Sequence, residues 1–361
     1  MLFRSVEYDG FYAFNYSPLG VYRGNGWVAT MRSPTTKFWG TEIYENTNRF
    51  GRYQSYGSLE VMYDGDITTS GYPALEDNVG GWDWNVVPGT TTVHYTNWRD
   101  MMPAKNTTAR FAQYTVSKNF AGALAWDKIG LFAADFDQSD TWGSKRFTST
   151  NLTYKKSVLA VDGLLISIGS DINTSGAYAD DMKTATNLFQ SVIYPNSLTM
   201  KVNGMAISTT YQNTFNAGIN QLSLISPTGT GYIIPRGNDL LEVQYGNQTA
   251  PVHTGADVDA PTTSLTVAKA FLNHGVKTSG KSYQMVVVPA ATNESLAGYA
   301  SQVSSGSLYE VLSFNSKLHS IYYKPQGVMA YSCFEPQDNI PVGLLKADRK
   351  STRLNSSHGK L

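Results

Sequence analysis

Short apolar runs, each broken by Gly, Asn or Asp, follow one another along the chain. Residues 157–161 and 164–168 flank Asp162-Gly163, and 198–202 leads into Asn203-Gly204. Asp-Gly or Asn-Gly between apolar runs predicts a hairpin, because both central positions of its turn need positive φ. Residues 231–235, 283–288, 309–314 and 319–323 also carry strand patterns, and 90–95 is a Thr-rich strand. Turns this frequent favour stacked antiparallel sheets over βαβ units. Two segments have helical spacing, 294–301 and 181–190. The expected class is all-β.

Composition supports that class and narrows the function. The 23 Tyr, 15 Phe and 7 Trp suit pleated, half-buried surfaces, and the 32 Gly suit turns. The aromatics are read first as core, although the same rings stack on sugars. With 28 basic and 28 acidic residues there is no basic surplus, which argues against nucleic acid. No apolar run approaches the roughly 20 residues a membrane helix needs. Cys333, the single cysteine, excludes a disulfide framework and a cysteine zinc site. The histidines are His94, His253, His274, His319 and His358, and none has a metal-ligand neighbour at helical or strand spacing. There is no nucleophile elbow and no phosphate-binding loop. No required cofactor is expected, and no carboxylate cluster assigns a divalent cation. The chain has no internal repeat of the kind adhesins carry. Its start shows no signal-peptide pattern. Residues 348–361 turn abruptly basic and polar, and are read as translated sequencing adapter, with the natural chain cut near Ala347.

The densest polar and aromatic stretch is 38–57, where Glu42, Glu45, Asn46, Asn48, Arg49, Arg52 and Gln54 crowd a segment of turn character. Arg pairs with carboxylate or sulfate groups, and Tyr and Trp stack on sugars. A polar loop with local Glu–Arg pairs explains the same composition, and composition leaves the two open.

The order of residues says more. Glu42-Ile43-Tyr44-Glu45-Asn46-Thr47-Asn48-Arg49-Phe50-Gly51-Arg52-Tyr53-Gln54-Ser55 resembles the β-domain signature of the chondroitin sulfate ABC type in polysaccharide lyase family eight. Gly80-Gly81-Trp82-Asp83-Trp84-Asn85 followed by Pro88-Gly89-Thr90-Thr91-Thr92 resembles a second run of that family, and Lys155-Lys156-Ser157-Val158-Leu159-Ala160 and Ile168-Gly169-Ser170-Asp171-Ile172-Asn173 are similar as well. The likeness extends from about Tyr12 to Ala347. It implies a large antiparallel β supersandwich, galactose mutarotase-like, over 1–306. It also implies the start of a small C-terminal β domain over 307–347, whose first strands, 309–314 and 319–323, are left without partners. The family's N-terminal α/α toroid has no counterpart here.

The resemblance implies a fragment of a glycosaminoglycan lyase that breaks hexosamine–uronate bonds by β-elimination. In such enzymes the catalytic His, Tyr, Arg and Asn sit on the toroid, and a Glu from the β domain completes the site across a cleft. Glu42 matches that Glu. Asn48, Arg49 and Arg52 share its motif and are carried over as substrate contacts. Trp82 and Trp84 are read as packing, and His94 as structural. The implied partners are a glycosaminoglycan and the toroid, without nucleic acid or membrane. The implied location is secreted or periplasmic. The competing reading is a non-catalytic carbohydrate-binding β-sandwich module, which has no need of a cleft-facing Glu in this motif.

Overall fold

Asp162 (φ 49°) and Gly163 (φ 76°) both adopt left-handed backbone, and they join strands Thr153–Val161 and Leu164–Asn173. Asn203-Gly204 joins Met200–Val202 to Met205–Ile207 in the same way. The computed structural model describes residues 9–44, 50–74, 81–101, 111–114, 116–138, 151–176, 182–252, 262–340 and 342–345. Among these the strands form sheets of nine, five, four, three and two strands, all paired antiparallel. The fold is an all-β supersandwich. The tail expected at 348–361 lies outside the described residues.

The nine-stranded sheet is the middle layer. Along Thr153–Val161, Val158 and Ala160 join one core while Leu159 and Val161 join another. Side chains alternate between faces with period two, so a strand buried on both sides reads as an unbroken apolar run. The first core fills the space toward the five- and four-stranded sheets, with Leu188, Leu241, Val267, Met31 and Leu59. The second is closed by Leu296 of helix Asn293–Ser304 and by Tyr309, Ile321, Tyr323 and Ala330 of the three-stranded sheet. That helix matches the segment expected at 294–301. It starts at Thr292, whose hydroxyl accepts from the Ser295 amide while the Ser295 hydroxyl accepts from the Thr292 amide.

Two expectations are corrected. The helical spacing at 181–190 belongs to a strand, Lys183–Val192. Ala185, Leu188, Phe189 and Val192 mimic a helical stripe. A register shift against Thr262–Val276, between Asn187 and Phe189, breaks the period of two and lets Leu188 and Phe189 both enter the core. The second correction concerns 309–314 and 319–323, which do have partners. Tyr309–Phe314 pairs with Leu318–Tyr323, which pairs in turn with Val328–Cys333. This small sheet is clasped to the large one by His319, whose Nδ1 lies 2.8 Å from Ser157 Oγ and whose Nε2 lies 2.8 Å from Ser170 Oγ.

At one end of the nine-stranded sheet, Ala121–Trp126 is the last strand. There Asn15 Nδ2 donates to the Ala123 carbonyl at 2.9 Å, and the Ala123 amide donates to Asn15 Oδ1 at 2.7 Å.

Candidate functional site

Glu42 lies on strand Thr41–Tyr44, opposite Gln113 of Phe111–Tyr114. The carbonyl of Gly40, just before this strand, accepts a hydrogen bond from Ser55 Oγ. Ser55 follows a buried 3₁₀ turn, Gly51–Tyr53, so the strand that carries Glu42 is tied to a packed segment of the same motif. Asn48 and Arg49 lie outside the described residues.

Arg52 points inward and is 2% exposed. Its Nη1 donates to Tyr95 Oη at 2.6 Å, and its guanidinium carbon sits 5.2 Å from the Tyr95 ring centre and 5.5 Å from that of Tyr53. Tyr53 Oη in turn donates to the Val93 carbonyl and accepts from Gln138 Nε2. Burial drives both phenols up, against the opposing pull of Arg52, so they stay protonated. Arg52, carried over as a substrate contact, is thus buried in this structure, with its charge lying against two aromatic faces.

The second motif is a buried polar network. Trp82 and Trp84 are core residues, and Trp84 stacks on Phe50 with ring centres 6.3 Å apart. Asp83 Oδ2 accepts from Lys269 Nζ at 2.6 Å. Burial is the largest single influence and disfavours the Asp83 charge, but the Lys269 ammonium and the hydrogen bonds from Lys269 and the Asn85 amide together hold the carboxyl below the usual range. Asn85 exchanges two hydrogen bonds with the backbone of Tyr95, at 2.8 and 3.0 Å. Asn187, on Lys183–Val192, places its amide nitrogen within 3.0 Å of Asn85 O, Thr90 Oγ1 and Thr92 Oγ1. Its oxygen lies 2.9 Å from His94 Nε2. Burial pushes His94 down to about 4, so at neutral pH it is an uncharged member of this network. The structural reading of His94 and the packing reading of the two tryptophans both hold.

Tyr95, Asn187 and Lys269 escaped the sequence reading. The only signal they left is polarity at strand positions that alternation assigns to the interior. Among the described residues, no three His, Cys, Asp or Glu side chains gather to hold a metal ion. No helix there is long and apolar enough to cross a membrane.

The candidate site is therefore a two-stranded ribbon that carries Glu42 and is tied through Ser55 to a packed, polar-cored segment. The model of "Polysaccharide lyase family 8, super-sandwich domain" matches residues 9–300. The chain belongs to polysaccharide lyase family 8. Among this family, a chondroitin sulfate ABC endolyase of Proteus vulgaris is 31% identical over 331 residues, covering 91% of this chain and 30% of the relative. A chondroitin sulfate ABC exolyase of the same organism is 28% identical, covering 90% and 31%. The family 8 chain thus spans about a third of the length of these curated relatives. A Paenibacillus xanthan lyase structure superposes with a TM-score of 0.73 at 19% identity, covering 96% of this chain and 31% of that one. This shared fold is the supersandwich.

Proposed function

We propose that this chain is the β portion of a glycosaminoglycan lyase that acts on chondroitin or dermatan sulfate. The observation that carries the reading is family 8 membership together with 31% identity to a chondroitin sulfate ABC endolyase across 91% of the chain. The proposed reaction is a β-elimination. The uronate carboxylate is neutralised, a base removes the C5 proton, and an acid protonates the leaving glycosidic oxygen. The bond to hexosamine breaks and an unsaturated uronate remains.

In this reading Glu42 reaches a cleft shared with an α/α toroid, where it orients the toroid's catalytic groups or hydrogen-bonds the sugar. Asn48 and Arg49, later in the same motif, touch substrate. Arg52 acts from below, by holding the turn that anchors the strand. The base and the acid come from the toroid, so this chain alone is inactive. The complete enzyme works in the periplasm or outside the cell, where its polymer is found.

The test is complementation. The chain is mixed with a separately expressed toroid from a related lyase, given chondroitin sulfate, and followed by absorbance of the unsaturated uronate. Activity only in the mixture, lost with Glu42→Gln, is expected. Turnover by the chain alone, or a mixture indifferent to Glu42→Gln, overturns the assignment. Tight sugar binding by the chain alone, unchanged by that substitution, makes it a binding module.

A further inference from the structure

Lys156 is fully buried, at 0% exposure, in the middle of the supersandwich. It stands on Thr153–Val161 opposite Ala134 on one neighbouring strand and Gly169 on the other. Its Nζ lies 2.5 Å from the carbonyl of Gly57 and 2.5 Å from the carbonyl of Gly89. Both acceptors sit where a side chain has no room. A Cβ at 57 would meet Tyr154 Oη at 2.6 Å, and one at 89 would meet the Leu59 nitrogen at 2.3 Å.

These two carbonyls belong to the two motifs. Gly57 ends the segment that contains Arg52 and Ser55. Gly89 ends the loop that contains Trp82, Asp83, Trp84 and Asn85. One amine therefore holds both segments at a set distance. The path to Glu42 is short: Ser55 Oγ donates to the Gly40 carbonyl, and Gly40 directly precedes Thr41–Tyr44.

We propose that Lys156 is a positioning residue for the lyase reaction, a pin that joins the two motif segments and thereby sets the place of the Glu42 strand. The inference rests on the lyase reading above. A role in packing alone would be met by methionine, which matches lysine in length. Methionine has no N–H, however, and would leave two buried carbonyls bare.

Protonation bears on the same geometry. A neutral amine has two N–H donors for two acceptors, whereas an ammonium brings a third. Burial pushes Lys156 down to about 7. The titratable groups around it are phenols: Tyr154 on its own strand, Tyr56 whose carbonyl accepts from Tyr154, and Tyr283 over Gly169. Burial drives all three up, so they stay neutral. The pin is therefore best satisfied above pH 7 and strained below it.

The experiment compares the unmutated chain with Lys156→Met. Amide hydrogen exchange is measured on the chain alone, and turnover on its mixture with the toroid. Exchange at 41–44, 50–57 and 83–90 is expected to rise together, about tenfold, while Leu164–Asn173 keeps its protection. In the mixture kcat should fall about tenfold with KM nearly unchanged, and the kcat profile should lose its step near pH 7. Unchanged exchange in these segments overturns the proposal, as does an unchanged kcat with loosened segments. If the unmutated mixture is silent, the lyase reading fails, while the exchange comparison still decides whether Lys156 is the pin. If Lys156→Met does not fold, the unmutated chain carries the test. Its exchange, corrected for intrinsic rates, should rise in both motif segments together as pH falls from about 10 toward 7 and level off below it, because the opened segments let the amine bind a proton first; independent or absent changes overturn the proposal.

Discussion

The two faces of the nine-stranded sheet are built on different terms. Toward the helix and the three-stranded sheet it presents Leu159, Val161, Leu164, Ile166, Ile168 and Val286, with the His319 clasp and the Lys155–Asp135 ion pair as polar exceptions. Toward the motif side it covers Lys156, and past it lie Arg52, Asn187 and the Asp83–Lys269 pair, all buried among aromatics. Apolar burial gives cohesion in proportion to area and is indifferent to fine placement. A buried polar group is costly unless its partner stands at one distance and angle, so it dictates geometry. The face that dictates geometry is the one beneath the Glu42 strand.

The sharpest way to break this contrast is Lys269→Met. It leaves the Asp83 carboxylate buried without its cation and should cost about 3–5 kcal/mol in urea unfolding. On the other face Ile166→Ala removes only apolar contacts and should cost about 2–4 kcal/mol by the same measurement. A larger loss there than at Lys269 would put the geometry-setting face on the wrong side. Acid separates the faces through their histidines. Burial holds His94 down to about 4 and His319 down to about 3, against an ordinary value of 6.5. Both folded values lie below the unfolded one, so the stability these groups contribute is complete above pH 6.5. It is lost as pH falls from 6.5 toward the folded values, where the unfolded chain takes up the proton first. Each should remove about 2 kcal/mol by pH 4.5 in denaturation followed across pH, and His319→Gln should flatten its share. Tyr95→Phe removes one acceptor of Arg52 and should cost about 1.5 kcal/mol, with a loss of protection at 50–57 by hydrogen exchange. The smallest effect belongs to the apolar side. Thr292→Ala deletes the cap of Asn293–Ser304 for about 1 kcal/mol, read as a small shift in Tm without change at the motif.

The same contrast explains what was legible in the sequence. Asp162-Gly163 and Asn203-Gly204 announced their hairpins because a two-residue turn is a local demand on φ. Leu159 and Ile166 announced a core because apolar runs do. Lys183–Val192 misled because its bulge turns Leu188 and Phe189 inward together, and a bulge is set by the partner strand. Residues 309–314 and 319–323 were expected to stand unpaired because the small domain was read as cut short, yet Val328–Cys333, which that reading did not mark as a strand, completes their sheet. Within the site, the order of residues around Glu42 identified the family. It could not separate Arg52, which turns inward onto Tyr95, from the side chains expected to face a sugar. The partner that tells them apart, Tyr95, is 43 residues downstream and arrives only with folding.

The amide of Asn15 bears on how the molecule keeps to itself. A primary amide carries the donor and acceptor of a peptide unit, and Asn15 spends both on Ala123. It thus occupies one rung of the outermost strand, the rung an incoming chain would need in order to extend a nine-stranded template. Asn15→Ala keeps the strand but vacates the rung. A rise in strand-to-strand polymers at high concentration, read by light scattering, is the expected outcome, with Asn15 serving as a chain terminator at this edge alongside the neighbouring strand Gly10–Phe14.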